Sequence, residues 1–220
     1  MKKNIQKTVF SEQIREQLME DILNGRLQPG ERLSEIALAN EFNVSQAPVR
    51  EALKSLEVLG LVTSMPYKGT IIRTSVEKSM EEYFQVRTAL EGLAGRLAAE
   101  NATEEVIQAL EKLAREMVKA AKAGDRELRT ELNRDFHNLI INASHNFMLI
   151  SVCRSLRLGS WSRITSKYTH MTDEAITRRH EQIVDCLKAR DAEAAEKAMR
   201  DHVEESLQNF TKGATGKKRV

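Results

Sequence analysis

The chain is 220 residues long, 41% hydrophobic and 30% charged, a globular mixture with room for one domain or two, and its net charge of +2 means that any nucleic-acid binding rests on a local patch. No apolar run approaches the length of a membrane span, and the opening MKKNIQKTVF lacks the apolar stretch of a signal peptide. Cys153 and Cys186 stand alone, with no CxxC, which fits a reducing cytoplasm.

The three prolines, Pro29, Pro48 and Pro66, all fall in the first third. The proline-free remainder, rich in Ala, Glu, Leu and Arg, predicts an all-helical second half, with the boundary near Ser75. In the first part, residues 11–24 read as a helix with Ile14, Leu18, Ile22 and Leu23 on one face. Gly25 and the Pro29-Gly30 pair break it. Ser34 is expected to cap a short helix over 35–41, and Phe42-Asn43 to turn the chain into a third.

That third helix lies within VSQAPVREALKSLEVLGLV, residues 44–62. Ser45 is expected to cap it, and Pro48 is tolerated in the first turn, where amide donors have no intrahelical acceptor. Val49, Ala52, Leu53, Leu56 and Leu59 form its apolar stripe. Gln46, Arg50 and Lys54 recur every four residues on another face. Long donors near a helix N-terminus, with a cation further along, suit a groove-reading helix. Taken alone, the same residues could be a solvated face of Arg50-Glu51 and Lys54-Glu57 charges. Gly60 ends the helix, residues 61–64 and 70–74 read as short strands, and 65–69 is the hairpin tip with Gly69 as its flexible point. Helix, helix, turn, helix, strand, strand is the order of a winged helix-turn-helix.

The segments ILNGRLQPGERLSE and LANEFNVSQAPVREALKSLEVLGLV, followed by Lys68-Gly69, resemble the DNA-binding domain of the GntR family of bacterial transcription regulators. The resemblance covers roughly residues 10–74. With it, the expected DNA-contacting set is Arg32, Ser45, Gln46, Ala47, Arg50, Lys54, Lys68 and Gly69. The family often has Arg where this chain has Gln46. Arg pairs bidentately with guanine and Gln with adenine, so the operator is expected to differ there.

The second half reads as helices over 76–101, 103–123, 126–143, 147–168, 173–189 and 192–210, with Thr103, Asp125 and Thr172 at N-caps. The basic tail over 213–220 is expected to be disordered. The fold class is thus mainly α: an N-terminal winged helix-turn-helix over 1–75, then an all-α helical-bundle effector domain over 76–212.

Of five histidines, His145 in a turn and His170 between helices read as solvated. The other three fall on inward faces. His137 lies at the edge of the stripe Leu132, Phe136, Leu139, Ile140 and Ala143, with Asn133 one turn earlier on that edge. His180 lies within Ile176, Ile183, Val184 and Leu187, and His202 within Ala195, Met199, Val203, Leu207 and Phe210. One such histidine would be an ordinary core residue with a hydrogen-bond partner. Three converging imidazoles make a set of ligands for a divalent transition metal, zinc by default and Ni, Mn or Fe as alternatives, and Asn133 can add a carbonyl oxygen. Arg87 shares an inward stripe with Tyr83, Leu90, Ala94 and Leu97. It reads either as an i,i+4 partner of Glu91 or as a clamp for an effector carboxylate.

RTALE at 87–91, LNRDFHNLI at 132–140, ASHN at 143–146, RRHEQIVDCLKARDAEAA at 178–195 and MRDHV at 199–203 resemble the FCD, or FadR-type, effector domain that follows GntR heads. Metal-binding members often carry Asp four residues before the first histidine, where this chain has the neutral Asn133. The resemblance implies a cytoplasmic, homodimeric regulator. It would bind a palindromic operator in double-stranded DNA and respond to a small carboxylate effector. Two other readings stand beside it. One is a metal-dependent enzyme built on the three histidines, for which no adjacent general base such as an HExxH is found. The other is a regulator whose histidines line a metal-free organic-ligand pocket.

Overall fold

The structure is a computed structural model that describes residues 5–65, 69–156 and 173–217. The elements in order are α1 (Ile5–Leu23), β1 (Arg32–Leu33), α2 (Glu35–Glu41), α3 (Gln46–Val58), β2 (Val62–Met65), β3 (Gly69–Ile72), α4 (Val76–Asn101), α5 (Glu104–Lys122), α6 (Arg126–Ala143), α7 (Phe147–Ser155), α8 (Asp173–Lys188) and α9 (Ala192–Lys217). They form two compact units, Met1–Tyr83 and Phe84–Val220.

In the N-terminal unit, Ile14, Leu18, Met19 and Ile22 of α1 are buried, as are Val49, Ala52, Leu53 and Leu56 of α3. The stripe predicted for α3 is the one the core uses. Leu23, expected on the buried face of α1, is only half-buried, and Met19 takes its place. A strand absent from the sequence reading completes the wing: the sheet runs β1-β3-β2, antiparallel, with Arg32 opposite Ile71 and Ser64 opposite Thr70. Two residues are too few to show an alternating pattern, so β1 owes its conformation to its partner strand. The unit runs to Tyr83, into the first turns of α4, where Met80 and Tyr83 are buried.

Caps behave as the sequence suggests at three helices. Ser34, Thr103 and Asp125 accept from the amides of Ala37, Val106 and Leu128. Ser45 departs from expectation. It holds the N-cap position of α3 but makes no side-chain cap hydrogen bond. A capping hydroxyl bonds the amide two or three residues into the helix, and the third residue here is Pro48, which has no N–H.

In the C-terminal unit, Ile107, Leu110 and Met117 of α5, Phe136 and Ile140 of α6, Ile183 and Leu187 of α8, and Met199 and Val203 of α9 are all buried, and α5 packs against α6 and α8. The inward side of α4 is turned by about one residue from the predicted stripe. Phe84, Arg87, Thr88, Glu91, Ala94 and Ala98 are buried, while Leu90 and Leu97 are half-buried. The cause is close packing of small residues. A Cβ on Gly95 would lie 2.8 Å from the backbone oxygen of Ala195 and 2.7 Å from Met199 Cγ, and one on Gly92 would lie 2.6 Å from Arg200 Cγ. Glycine at these positions lets α9 approach α4, which carries His202 toward Glu91.

The tail also differs from expectation. Helix α9 continues to Lys217, because extending an existing helix adds a hydrogen bond for each residue fixed, and this outweighs the helix-weakening of Gly213 and Gly216. The helix predicted over 147–168 ends at Ser155, with Leu156 as its C-cap, and residues 157–168, with Thr172 and His170, lie outside the described residues. Among the described residues no helix is long and apolar enough to cross a membrane.

The two glycines of α4 give an ordered expectation. Gly95→Ala meets backbone and should destabilise the protein by about 1–3 kcal/mol, even though alanine favours helix. Gly92→Ala meets only side-chain atoms of Arg200, which can rotate away, and should cost less. Urea unfolding of the two variants checks the order; equal stabilities would show that the helices separate freely here.

Candidate functional site

On α3, Gln46, Ala47, Arg50 and Lys54 are exposed, with Ser45 exposed beside them. The i,i+4 spacing of Gln46, Arg50 and Lys54 on a 13-residue helix keeps their donors on one side. The charge pairs of an ordinary solvated face do not form. Arg50 turns to α2 instead, where Nε lies 3.1 Å and Nη2 2.8 Å from Glu35 Oε2. Glu57 reaches the wing, accepting from the Ser64 amide at 2.6 Å and the Ser64 hydroxyl at 2.9 Å. Glu35 was not singled out in the sequence. Its only sequence signal is its place just after the Ser34 cap, fifteen residues before Arg50.

The wing brings two more expected residues together. Gly69 has φ +80°, a left-handed backbone that favours glycine, and a Cβ there would lie 3.2 Å from Arg32 Nε. Gly69 therefore both makes the turn and leaves room for the exposed Arg32. Lys68 lies outside the described residues.

A second cluster is buried in the C-terminal unit. His137 on α6, His180 on α8 and His202 on α9 are 2%, 4% and 7% exposed, and one ligand atom from each lies within 4.8 Å of the others. The three helices converge as predicted, with one refinement. His137 is at the centre of its helix's buried face, next to Thr130, Phe136, Ile140 and Ile141, while Leu132 and Leu139 are only half-buried. His137 Nε2 lies 3.1 Å from His202 Nε2, and His180 Nε2 donates to Asn133 Oδ1 at 3.0 Å. Phe136 meets His180 edge-on, with ring centroids 4.9 Å apart, and holds that ring in place. His145, expected to be solvated, is exposed.

Glu91 is the member that the sequence reading used only as Arg87's helical neighbour. It is fully buried. Oε1 accepts from Arg87 Nε at 2.5 Å, and Oε2 meets His137 Nδ1. Arg87 also sits over the Phe84 ring, 5.5 Å from its centroid. Burial by itself would raise the Glu91 pKa, but the charges of Arg87 and then His137, with hydrogen bonds from both, bring it down to about 2. His202 moves well below its ordinary value, first through burial and then through the neighbouring His180, His137, Arg179 and Arg87. Cys153, buried nearby, is pushed up to about 12 by burial and by the Glu91 charge, so its thiol stays protonated.

The cluster suits a metal on two counts. Two imidazole nitrogens bound to one ion at about 2.0–2.1 Å stand roughly 3 Å apart, close to the separation of His137 and His202. Three imidazoles and an amide oxygen are donors that zinc, nickel and iron accept. His202 Nδ1, on the far side of its ring from the Nε2 that meets His137, is buried without a hydrogen-bond partner. Buried polar atoms nearly always have one, so this nitrogen marks a place for a water or a ligand atom beside the cluster.

Comparison with known proteins accounts for both halves. Residues 10–72 match the family described as bacterial regulatory proteins, gntR family, and residues 82–205 match the FCD domain. This chain belongs to the GntR family, FCD subfamily. It is 34% identical over 204 residues to a protein of Paenarthrobacter nicotinovorans named as a probable D-xylose utilization operon transcriptional repressor, covering 91% of this chain and 88% of that one. It is 30% identical over 164 residues to the Nta operon transcriptional regulator of Aminobacter aminovorans, covering 70% and 78%. The solved structure of E. coli McbR/YncC shares the fold, with a TM-score of 0.65 at 24% identity over 92% of this chain and 97% of that one. As a GntR-family member the chain is a DNA-binding transcription regulator rather than an enzyme.

The two shifted groups set a pH dependence. His202 resists protonation when folded and takes a proton near its ordinary 6.5 when unfolded, so stability falls as pH drops below about 6.5. Glu91 adds to the loss below its ordinary 4.5, until the folded carboxyl protonates near 2. Each group contributes about 1.4 kcal/mol per pH unit inside its window. Urea unfolding at pH 7.5, 6 and 5 should show the decline, and His202→Gln should remove about one proton's worth of slope. An unchanged slope would mean that His202 is not held neutral by the fold.

Proposed function

We propose that the N-terminal unit binds a palindromic operator in double-stranded DNA as a homodimer, in the cytoplasm, and that the C-terminal bundle holds a metal and a small carboxylate effector that modulates this binding. The convergence of His137, His180 and His202 from three helices is the observation that carries the effector half. These residues, with Asn133, would hold a divalent transition metal, zinc by default. The bound ion would supply a concentrated positive charge for an anion. The direct ligands are all neutral, so they leave that charge intact. Arg87 adds a planar donor fork for a carboxylate, which it would share with Glu91. Effector and DNA would each change the other's affinity by the same factor, since coupling between two sites is reciprocal.

In the head, Gln46, Arg50 and Lys54 would lie in the major groove, with Arg32, Gly69 and Lys68 of the wing on the backbone or minor groove, and Ser45 and Ala47 at the helix N-terminus. Arg50→Ala should weaken operator binding, by about 1–3 kcal/mol where the arginine reads a base, without unfolding the protein. Gln46→Arg should move base preference toward guanine at one position in each half-site. Gel shifts at matched salt, a binding-site selection and light scattering of the complex test this together. Unchanged affinity, identical site logos or one chain per operator would each refute its part.

For the bundle, wild type prepared without chelator or a metal-affinity column should contain about one metal per chain by mass spectrometry. His180→Ala should lose it, and with it the thermal shift produced by a panel of small carboxylic acids, while the head remains folded. Asn133→Asp should bind metal more tightly and the anion more weakly. Wild type that holds no metal and gains none on dialysis would leave the histidines as an organic-ligand pocket.

A further inference from the structure

One buried carboxylate connects the expected effector arginine to the expected metal ligands. Glu91 is not among the three residues whose ligand atoms cluster. Its two oxygens are spoken for, one by Arg87 Nε and the other by His137 Nδ1. Beyond His137, the ring's second nitrogen faces His202 Nε2 at 3.1 Å. The sequence of contacts is therefore Arg87, Glu91, His137, His202, crossing from α4 to α6 to α9.

We propose that Glu91 is a positioning residue that fixes the ring and the tautomer of His137, so that Nε2 is the nitrogen presented to a metal. This rests on the metal reading above and adds what makes one of the three histidines a competent ligand.

An ionised carboxylate has lone pairs and no hydrogen, so the hydrogen of its bond to His137 must sit on Nδ1. A ring that ligates a metal must be neutral and so carries one ring hydrogen, and with Nδ1 holding it Nε2 keeps its lone pair. Without an acceptor at Nδ1, the hydrogen could sit on either nitrogen and the ring could turn about its side-chain bonds. Metal binding would then have to select one state from several. A carboxylate on the far nitrogen also makes the ring a stronger base toward the ion. Arg87 is the other half of the device. It occupies the second oxygen of Glu91 and keeps the carboxylate charged at a position with no solvent exposure. An effector that drew on Arg87 would loosen the carboxylate that orients His137, which couples the ligand to the metal through a named pair of bonds.

The test uses the full-length protein with three measurements. The first is nitrogen-15 NMR of the histidine rings of metal-free wild type, which reports the tautomer of His137 directly. The second is zinc affinity by chelator competition, and the third is thermal melting. The variants are Glu91→Gln and the double replacement Arg87→Met with Glu91→Leu. Glu91→Gln leaves a buried arginine without its counter-charge and risks the fold. The double replacement removes both charges at similar volume and is expected to stay folded. Wild type should carry hydrogen on Nδ1 of His137. The double variant should lose that tautomer, keep its melting temperature and bind zinc about 10- to 100-fold more weakly.

A wild-type His137 with hydrogen on Nε2 overturns the proposal. So does a double variant with wild-type zinc affinity, which would reduce Glu91 to a counter-ion for Arg87. A wild type that takes up no zinc but shows the Nδ1 tautomer removes the metal reading, yet upholds the hold of Glu91 on His137.

Discussion

A carboxylate with no access to water must be neutralised, and the C-terminal unit is arranged around that requirement. Glu91 sits in the wall where α4 meets the rest of the bundle, and only Arg87 on one side and His137 on the other make its charge tolerable there. Removing one partner of such a buried group typically costs about 3–5 kcal/mol. Arg87, Glu91 and His137 therefore constrain one another's rotamers, and Asn133, one turn from His137 on α6, is placed by the same helix. The polar centre of the bundle is a structural necessity in its own right.

That centre also depends on backbone spacing. The absence of side chains at Gly92 and Gly95 allows α9 to lie against α4, so an imidazole on one helix and a carboxylate on the other reach the same ring. Small residues and a buried ionic network are complementary here. The first bring the helices within reach, and the second fixes how far apart their functional groups stand. Phe136, packed edge-on against His180, does for that ring by contact what Glu91 does for His137 by hydrogen bonding.

Much of this could be read in the sequence. The periodicity of α3 gave its core stripe and its exposed face, and the spacing of three histidines on separate amphipathic helices gave the buried cluster. The bounds of α4 and α6 are those expected. The features that were not legible share a cause: each is set by a partner distant in the chain. Strand β1 exists because β3 lies beside it. The turn of the inward face of α4 is decided by α9. Glu91 reads only as a helical neighbour of Arg87 until His137, 46 residues away, is seen to meet it. Glu35 hides in the same way, since nothing near it in sequence indicates that Arg50 will fold back onto it. Ser45 is the opposite case, where the local sequence held the answer: the proline three residues on removes the amide its hydroxyl would have bound.

The pairing of Arg50 with Glu35 bears on how the head searches a genome. Much of the non-specific hold on DNA comes from cations meeting phosphates. An arginine already satisfied by a carboxylate has less to gain from a random phosphate, and its partner is repelled by the same backbone. In the proposed reading, a well-placed base edge would offset the lost pair, which contributes little at this exposed position. If Arg50 reads the groove as proposed, Glu35 on α2 would weaken every encounter, and wrong sequences most. For a regulator, what matters is the ratio of right to wrong sites rather than tightness alone. On a protein of net charge +2, a glutamate beside the proposed reading helix would trade affinity for discrimination.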